Sequence, residues 1–322
     1  MKRTICFLLT LSIFIFVGCE RPSGTVPGIP STPADTQPSS STPPAEMPST
    51  GVPSTAAPSE ATHPPATVPP TTESAPTSGE LIGTLYTKQQ LIGLDNTLQS
   101  YGCGRNGNPT RPSTPVNAQN TYRQYNATFI KEDIPTVYLT FDCGYEFSNL
   151  TGTILDTLKE KNIKAVFFVT LHYCKTNPHF VQRMIDEGHI VGNHSANHNS
   201  LPTLSIDDMS QEIMSLHNYV KENFGYQMFL FRPPKGEYSV RSLALAQSLG
   251  YESVLWSFAY KDWVTDAQPD IAQSLRLISG CVHNGAIFLL HSVSATNAAL
   301  LGDLIDELQL KGYTIAPYPQ PA

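Results

Sequence analysis

Residues 137–146 read VYLTFDCGYE. Residues 137–141 are a short apolar run of the kind that forms a buried strand. An acid, a thiol and a glycine follow at once: Asp142, Cys143 and Gly144. A bare carboxylate at the end of a buried strand is costly. Asp142 therefore needs a partner or a task, as metal ligand, general base or half of an ion pair, and a plain structural salt bridge is the alternative.

Outward from this stretch the same arrangement repeats. Apolar runs at 136–141, 165–169, 190–193, 229–231, 253–256, 286–290 and 313–315 alternate with helical stretches. The stretch 177–188 predicts a helix capped by Asn177, with Pro178 in its first turn and Gly188 as its stop. The stretch 205–225 predicts a second, capped by Ser205 and ended near Gly225. Helical stretches at 238–250 and 296–312 also close on glycine. Repeated β–α units with fully apolar strands argue for an α/β fold with a parallel sheet inside and helices outside. About seven such units suggest an incomplete (β/α)7 barrel.

The polar residues fall where a barrel would use them. Asp142 follows the first strand, His194 the third, Arg232 the fourth and His291 the sixth. Asp262 and Trp263 lie in the loop after the fifth. The C-terminal strand ends of a parallel barrel share one face, where active sites form. Residues some 150 positions apart are thereby expected to meet.

The first 19 residues have a basic start, Lys2 and Arg3, then an apolar run at 5–17 that is short for a membrane span of roughly 20 residues. It fits a secretory signal. Its end, Phe16-Val17-Gly18-Cys19, resembles a bacterial lipoprotein processing site, with Phe16 where leucine is usual. Cys19 is the expected lipidation site, which would anchor the chain to a membrane outside the cytoplasm; an uncleaved anchor or an ordinary signal peptide is the alternative. Residues 20–79 are rich in Pro, Ser and Thr, cannot bury a core, and read as a disordered spacer. Residues 80–133 read as an extension packed on the catalytic domain, with a helix expected within 87–99 and a turn-rich segment at 101–115. Residues 134–322 form the domain itself. The net charge of −7 is mild, and without a basic stripe nothing points to nucleic acid. The remaining cysteines, Cys103, Cys143, Cys174 and Cys281, match no metal spacing and no dense disulfide framework. No surface feature suggests an oligomer, so a monomer is expected.

"NHSANH" sets His194 and His198 four apart. On a helical turn that spacing stacks both imidazoles on one face, a pair suited to a divalent metal such as zinc. Arg232, in "FRPPKGEYS", is a natural partner for Asp142, because its planar fork holds a carboxylate. Its prolines stiffen the loop, so that Lys235 and Gly236 offer backbone N–H groups to an oxyanion. His291 reads either as a core histidine bonded to backbone or, oriented by Asp262 and raised in pKa, as a group able to donate a proton near neutral pH. Trp263 walls the pocket. His172, His179, His189, His217 and His283 read as structural or solvated. The set describes metal-assisted hydrolysis.

"TFDCGYE", "NHSANH", "RPPKGEYS", "DW" and "LLHS" occur in the order seen in the polysaccharide deacetylases, carbohydrate esterase family 4, also called the NodB homology domain. The resemblance covers about residues 134–316. It implies a distorted, incomplete (β/α) barrel that removes acetyl groups from glycans. It also implies Asp142 as general base, His194 and His198 as metal ligands, Arg232 as the residue orienting Asp142, Asp262 as the tuner of His291, and His291 as general acid. The sequence looks closest to the de-N-acetylases that act on peptidoglycan muramic acid during δ-lactam formation in the spore cortex. "TFD-x-GYE", "RPP-x-GEYS" and "LLHSVSATNAALLGDLIDELQLKGY" carry that likeness. The implied partner is a peptidoglycan glycan strand.

Cys143 is the departure, since the family has a second, metal-binding Asp at that position. Three readings stay open: a thiolate ligand, a small apolar filler, and a disulfide with Cys174. Two other functions also stay open. One is deacetylation of N-acetylglucosamine in peptidoglycan or a chitin-like glycan. The other is glycan binding by a lipoprotein whose site has decayed.

Overall fold

The structure is a computed structural model and describes residues 81–104 and 107–321. The signal, Cys19 and the linker lie outside the described residues. The N-terminal part contains β1 (Leu81–Ile82), β2 (Tyr86–Thr87), α1 (Lys88–Ile92), β3 (Gln99–Ser100), α2 (Ser113–Tyr122) and β4 (Ala127–Thr128). The helix expected within 87–99 is only five residues long. Thr87 and Gln90 cap its start reciprocally, and Gly93 stands at its end. Beyond Gly93 the Asp95 carboxylate accepts from Thr97 N at 2.8 Å, which favours a turn over a further helical turn.

The regular part follows as β5 (Thr136–Cys143), α3 (Leu150–Glu160), β6 (Val166–Val169), α4 (Leu171–Thr176), α5 (Pro178–Asp186), β7 (Ile190–Asn193), α6 (Ile206–Phe224) and β8 (Leu230–Phe231). Then come β9 (Glu237–Tyr238), α7 (Val240–Ser248), β10 (Glu252–Val254), β11 (Phe258–Ala259), α8 (Ile271–Gly280), β12 (Ala286–His291), α9 (Ala295–Leu310) and β13 (Thr314–Ile315). Ser205 caps α6 by accepting from Asp208 N, and Gly225 closes it at φ 64. Asn177 occupies the cap position of α5, but its side chain makes no capping bond. It donates instead to Thr176 Oγ1 at 2.9 Å.

The main sheet has nine strands in the order β11-β12-β5-β6-β7-β8-β10-β4, with β13 on β5. Every pairing in it is parallel. Among the described residues no pairing joins β11 to β4, so the curled sheet is an open barrel, as expected. The count exceeds seven because β4 and β11, two residues each, stand outside the apolar runs read from the sequence. β4 pairs with β10, so the N-terminal extension joins the sheet at its edge as well as packing on it.

A strand's period of two sorts β5 into faces. Val137, Leu139, Phe141 and Cys143 pack in one core with Leu155 and Leu158 of α3 and Leu301 and Leu304 of α9. Tyr138 packs in a second core with Phe168, Leu230, Val254 and Ile287. The first core lies under the helices and the second fills the barrel. Thr140 and Asp142 share the parity of Tyr138. Among the described residues no helix is long and apolar enough to cross a membrane.

Candidate active site

The C-terminal strand ends open into one pocket of about 1310 Å³, bordered by Asp142, His194, His198, Lys235, Gly236, Trp263 and His291. Asp142 and His291 are direct partners across the β5–β12 ladder. Their side chains therefore project from neighbouring strands on one face.

Arg232 follows β8 and is fully buried. Its Nη1 donates to Asp142 Oδ1 at 2.8 Å, its Nη2 to Thr140 Oγ1 at 2.8 Å, and its Nε to the Val254 carbonyl at 3.0 Å. The guanidinium also lies 4.1 Å from the centre of the Phe168 ring. Burial pushes the Asp142 carboxyl up, but the charges of Arg232, His194 and His291 outweigh it and hold the group below the usual carboxylate range.

The β7 end delivers the histidines, but not on a helix. Residues 194–199 form an irregular loop in which Ser195 and His198 take positive φ, 65° and 58°. The expectation of a helical turn is corrected here; the two rings still meet, with centroids 4.8 Å apart. Two buried side chains that sequence reasoning missed fold this loop. Asn193 Oδ1 accepts from Ser195 N at 2.8 Å. The Glu212 carboxylate accepts from Asn197 N, Asn197 Nδ2 and Asn199 Nδ2 at 2.9, 2.8 and 2.9 Å. Glu212 had a signal: a charge between Met209 and Ile213 on the apolar stripe of α6.

His194 Nδ1 lies 2.9 Å from the Arg232 carbonyl, so it carries the proton and Nε2 keeps a lone pair. Burial pulls the ring down to about 4, so it is neutral at pH 7. Burial also lowers His198. Nε2 of His194 stands 3.4 Å from Asp142 Oδ2. Two acceptors with no proton between them suit a cation, and a pair of neutral imidazoles suits a divalent metal. Among the described residues no group of three or more His, Cys, Asp or Glu side chains is placed to hold a metal ion, so the candidate donors are the two imidazoles. Cys143 does not extend the set. It is fully buried in the helix-side core, with its thiol 3.9 Å from the Phe141 carbonyl, and burial pushes that thiol far up. Cys174 is buried in the same core, and both are free thiols. The structure thus favours the filler reading over a ligand or a disulfide.

Opposite stands a second dyad. His291 Nδ1 donates to Asp262 Oδ1 at 2.7 Å, and Asp262 Oδ2 accepts from His291 N at 2.9 Å and Asn297 Nδ2 at 2.6 Å. Burial pulls the imidazole of His291 down, but the hydrogen bond and charge of Asp262 outweigh it and leave the pKa above its ordinary value. Trp263 lies 5.3 Å from the His291 ring, centre to centre, and remains half exposed. Asn297, one turn into α9, is a further orienting residue that motif reading did not single out.

In the β8–β9 loop both Lys235 and Gly236 take positive φ, 60° and 67°. The Gly236 N–H is already spent on the Pro233 carbonyl at 3.2 Å, so the expectation that it serves an oxyanion is corrected. Gly236 is required for packing instead, since a Cβ there would come 2.8 Å from Trp256 Cη2. Among the described residues the Lys235 N–H makes no such backbone hydrogen bond. Two further borders of the pocket were not foreseen. Tyr101, Gly102, Cys103 and Gly104 of the N-terminal extension form part of its wall, and His172, expected to be structural or solvated, stands at its edge. His189, His217 and His283 are buried on structural partners, Ala165 N, Tyr251 Oη and Ser257 Oγ.

A family profile described as polysaccharide deacetylase matches residues 130–254. The peptidoglycan-N-acetylmuramic acid deacetylase PdaA of Bacillus subtilis (strain 168) is 38% identical over 229 residues, 70% of this chain and 86% of that one. The solved structure of Bacillus subtilis PdaA, a family 4 carbohydrate esterase, matches with a TM-score of 0.66 at 37% identity, over 69% of this chain and 95% of that one. The peptidoglycan-N-acetylglucosamine deacetylase PgdA of Listeria monocytogenes is 33% identical over 177 residues, 55% of this chain and 36% of that one. On the PdaA match, sustained over most of both chains, this chain belongs to the polysaccharide deacetylases, the carbohydrate esterases of family 4.

Proposed function

We propose that this chain removes N-acetyl groups from peptidoglycan, and that its sugar is N-acetylmuramic acid freed of its stem peptide. The observation that carries the hydrolytic reading is the facing pair of dyads, Asp142–Arg232 and Asp262–His291, whose Asp142 and His291 stand opposite each other on neighbouring strands at one pocket. One dyad lowers the pKa of a carboxyl and the other raises that of an imidazole. A binding protein has no use for that opposition of pKa values, which argues against the decayed glycan-binding lipoprotein. The choice of sugar is supported by the name and extended match of the PdaA relative. N-Acetylglucosamine is the second reading, supported by the shorter PgdA match.

In this mechanism Asp142, held in place by Arg232, takes the proton of the water that attacks the acetyl carbonyl. The Lys235 amide donates to the oxygen that becomes negative. His291, kept protonated by Asp262, gives its proton to the departing sugar amine, and Trp263 covers the imidazole. His194 and His198 would hold a divalent metal, with zinc suited to the pair of imidazoles. Such an ion, when bound, supplies Lewis-acid polarisation and a more acidic water. Each proton transfer is worth about 10²–10⁴ in rate. The reaction would take place outside the cytoplasm, on an enzyme anchored through a lipid at Cys19 and spaced from the membrane by residues 20–79. Its product, a free amine beside a free lactyl carboxylate, is the one that closes to a muramic δ-lactam.

The test is acetate release from peptidoglycan strands with and without prior removal of stem peptides, metal-replete and chelated. Release from stripped strands alone, lost on chelation and restored by zinc, is expected. Release from N-acetylglucosamine oligomers only would replace the sugar, and no release from any glycan would favour the binding reading.

The acid limb of the mechanism has its own check. His291 must be protonated, so kcat should fall as pH rises through a value above the ordinary imidazole pKa of about 6.5. Asp262→Asn removes the main upward influence and leaves burial in control. The limb should then move to lower pH, with kcat reduced by about 10²-fold at pH 7. A pH–rate profile of Asp262→Asn with the wild-type alkaline limb would refute the tuning role.

A further inference from the structure

We propose that Lys235 and Lys261 form an anion subsite that reads the free lactyl carboxylate of the sugar. This rests on the muramic acid reading and adds the group by which that sugar is told from its neighbours.

The charge of the pocket points this way. The chain is acidic overall, with a net charge of −7. Yet the carboxylate on the pocket wall is Asp142, and Arg232 neutralises it at 2.8 Å. Asp262 is sealed behind His291 with no exposed surface. Lys235 and Lys261 both border the pocket, from the loop after β8 and the loop after β11. Among the described residues neither Lys235 nor Lys261 pairs with a carboxylate. A pocket with two unpaired ammonium groups and one compensated carboxylate favours an anionic ligand.

The loop under Lys235 is built to present it. A non-glycine residue at φ 60° costs about 1–2 kcal/mol, and persists only where its surroundings dictate it. Here Pro233 and Pro234 precede it, and the Gly236 carbonyl behind it accepts from Tyr101 N at 3.0 Å. The extension thus braces the loop from outside.

The ligand follows from sugar chemistry. Muramic acid carries a lactyl ether on O3, next to the carbon that bears the N-acetyl group. A sugar with its N-acetyl group between Asp142 and His291 therefore brings its lactyl group into the same pocket. In a strand that keeps its stem peptide this group is a neutral amide, and once the peptide is removed it is an anion. Glucosamine lacks it altogether. An ammonium pair discriminates the anion from both, since hydrogen bonds to ionised partners are the stronger ones.

The test compares kcat/KM for acetate release from stripped strands with kcat/KM for the same strands after conversion of the lactyl carboxylate to its methylamide. The wild-type protein is expected to prefer the carboxylate by about tenfold or more, and each of Lys235→Met and Lys261→Met to cut that ratio about five- to tenfold, mainly through KM. Lys→Arg at either position should restore most of it. Equal wild-type activity on the two strands overturns the subsite and leaves the muramic acid reading standing. So do methionine variants that slow both strands alike. Activity on N-acetylglucosamine oligomers with none on either muramoyl strand overturns the sugar assignment, and the subsite with it.

Discussion

Asp142→Asn should abolish measurable turnover, lowering kcat/KM for acetate release by about 10²–10⁴-fold or more. The asparagine keeps the size of the side chain and one oxygen for the Arg232 Nη1 that now lies 2.8 Å from Oδ1. What it removes is the basicity. Asp142 is held below the usual carboxylate range by its neighbours, so it is ionised wherever the enzyme would operate. A base with a low pKa is a weak one in water. Here its value lies in location, at the end of β5 and directly opposite His291 on the neighbouring strand. The variant also leaves a buried guanidinium without its counter-charge, so a fall in urea midpoint is expected beside the kinetic loss. The two separate by measurement, because substrate binding by calorimetry should persist in the folded variant. Turnover within about fivefold of wild type would remove Asp142 from the proton-transfer path.

Much of this site was legible in the sequence because strand ends are legible. Apolar runs of four to eight residues mark buried parallel strands, and the polar residue that ends each run marks the rim. That logic brought Asp142, Arg232, Asp262 and His291 to one face without a coordinate. Parity carried more than was taken from it. With Tyr138, Thr140 and Asp142 facing the barrel, Cys143 is one residue out of phase and must face the helices. The thiol's place in the helix-side core agrees with that alternation.

Other parts were not legible for physical reasons. His194 and His198 at a spacing of four read as a helical face, but the loop that joins them is set by tertiary contacts. The Asn197 N–H and the Asn197 and Asn199 side-chain amides go to Glu212, on α6, and the charge on that helix's apolar stripe does not say which loop it serves. The Gly236 amide was lost to the oxyanion assignment because a tight turn consumed it, which residue types alone do not disclose. The wall contributed by residues 101–104 follows from the antiparallel pairing of β3 with β9, between segments more than a hundred residues apart.

Arg232→Met should unfold the protein more readily than any other single change at the site, by about 3–5 kcal/mol at neutral pH. Methionine fills much of the volume and keeps contact with Phe168, so the cost is polar. It strands the Asp142 carboxylate in a buried site, and frees Thr140 Oγ1 and the Val254 carbonyl of their donors. The dependence on pH distinguishes this cause from poor packing. In the wild type the folded pKa of Asp142 is depressed, so its stabilising contribution is present above the unfolded value of about 3.9 and is lost as pH falls through the folded value. Without Arg232, burial dominates and the folded pKa rises above the unfolded one. The charged form then opposes folding, and protonation relieves it. The gap in urea midpoint between wild type and variant should therefore be widest near pH 7 and narrow towards pH 4.5. A gap of constant size would assign the loss to packing. Arg232→Lys should fall between the two, because an ammonium restores the charge but cannot serve Asp142, Thr140 and Val254 at once as the guanidinium fork does.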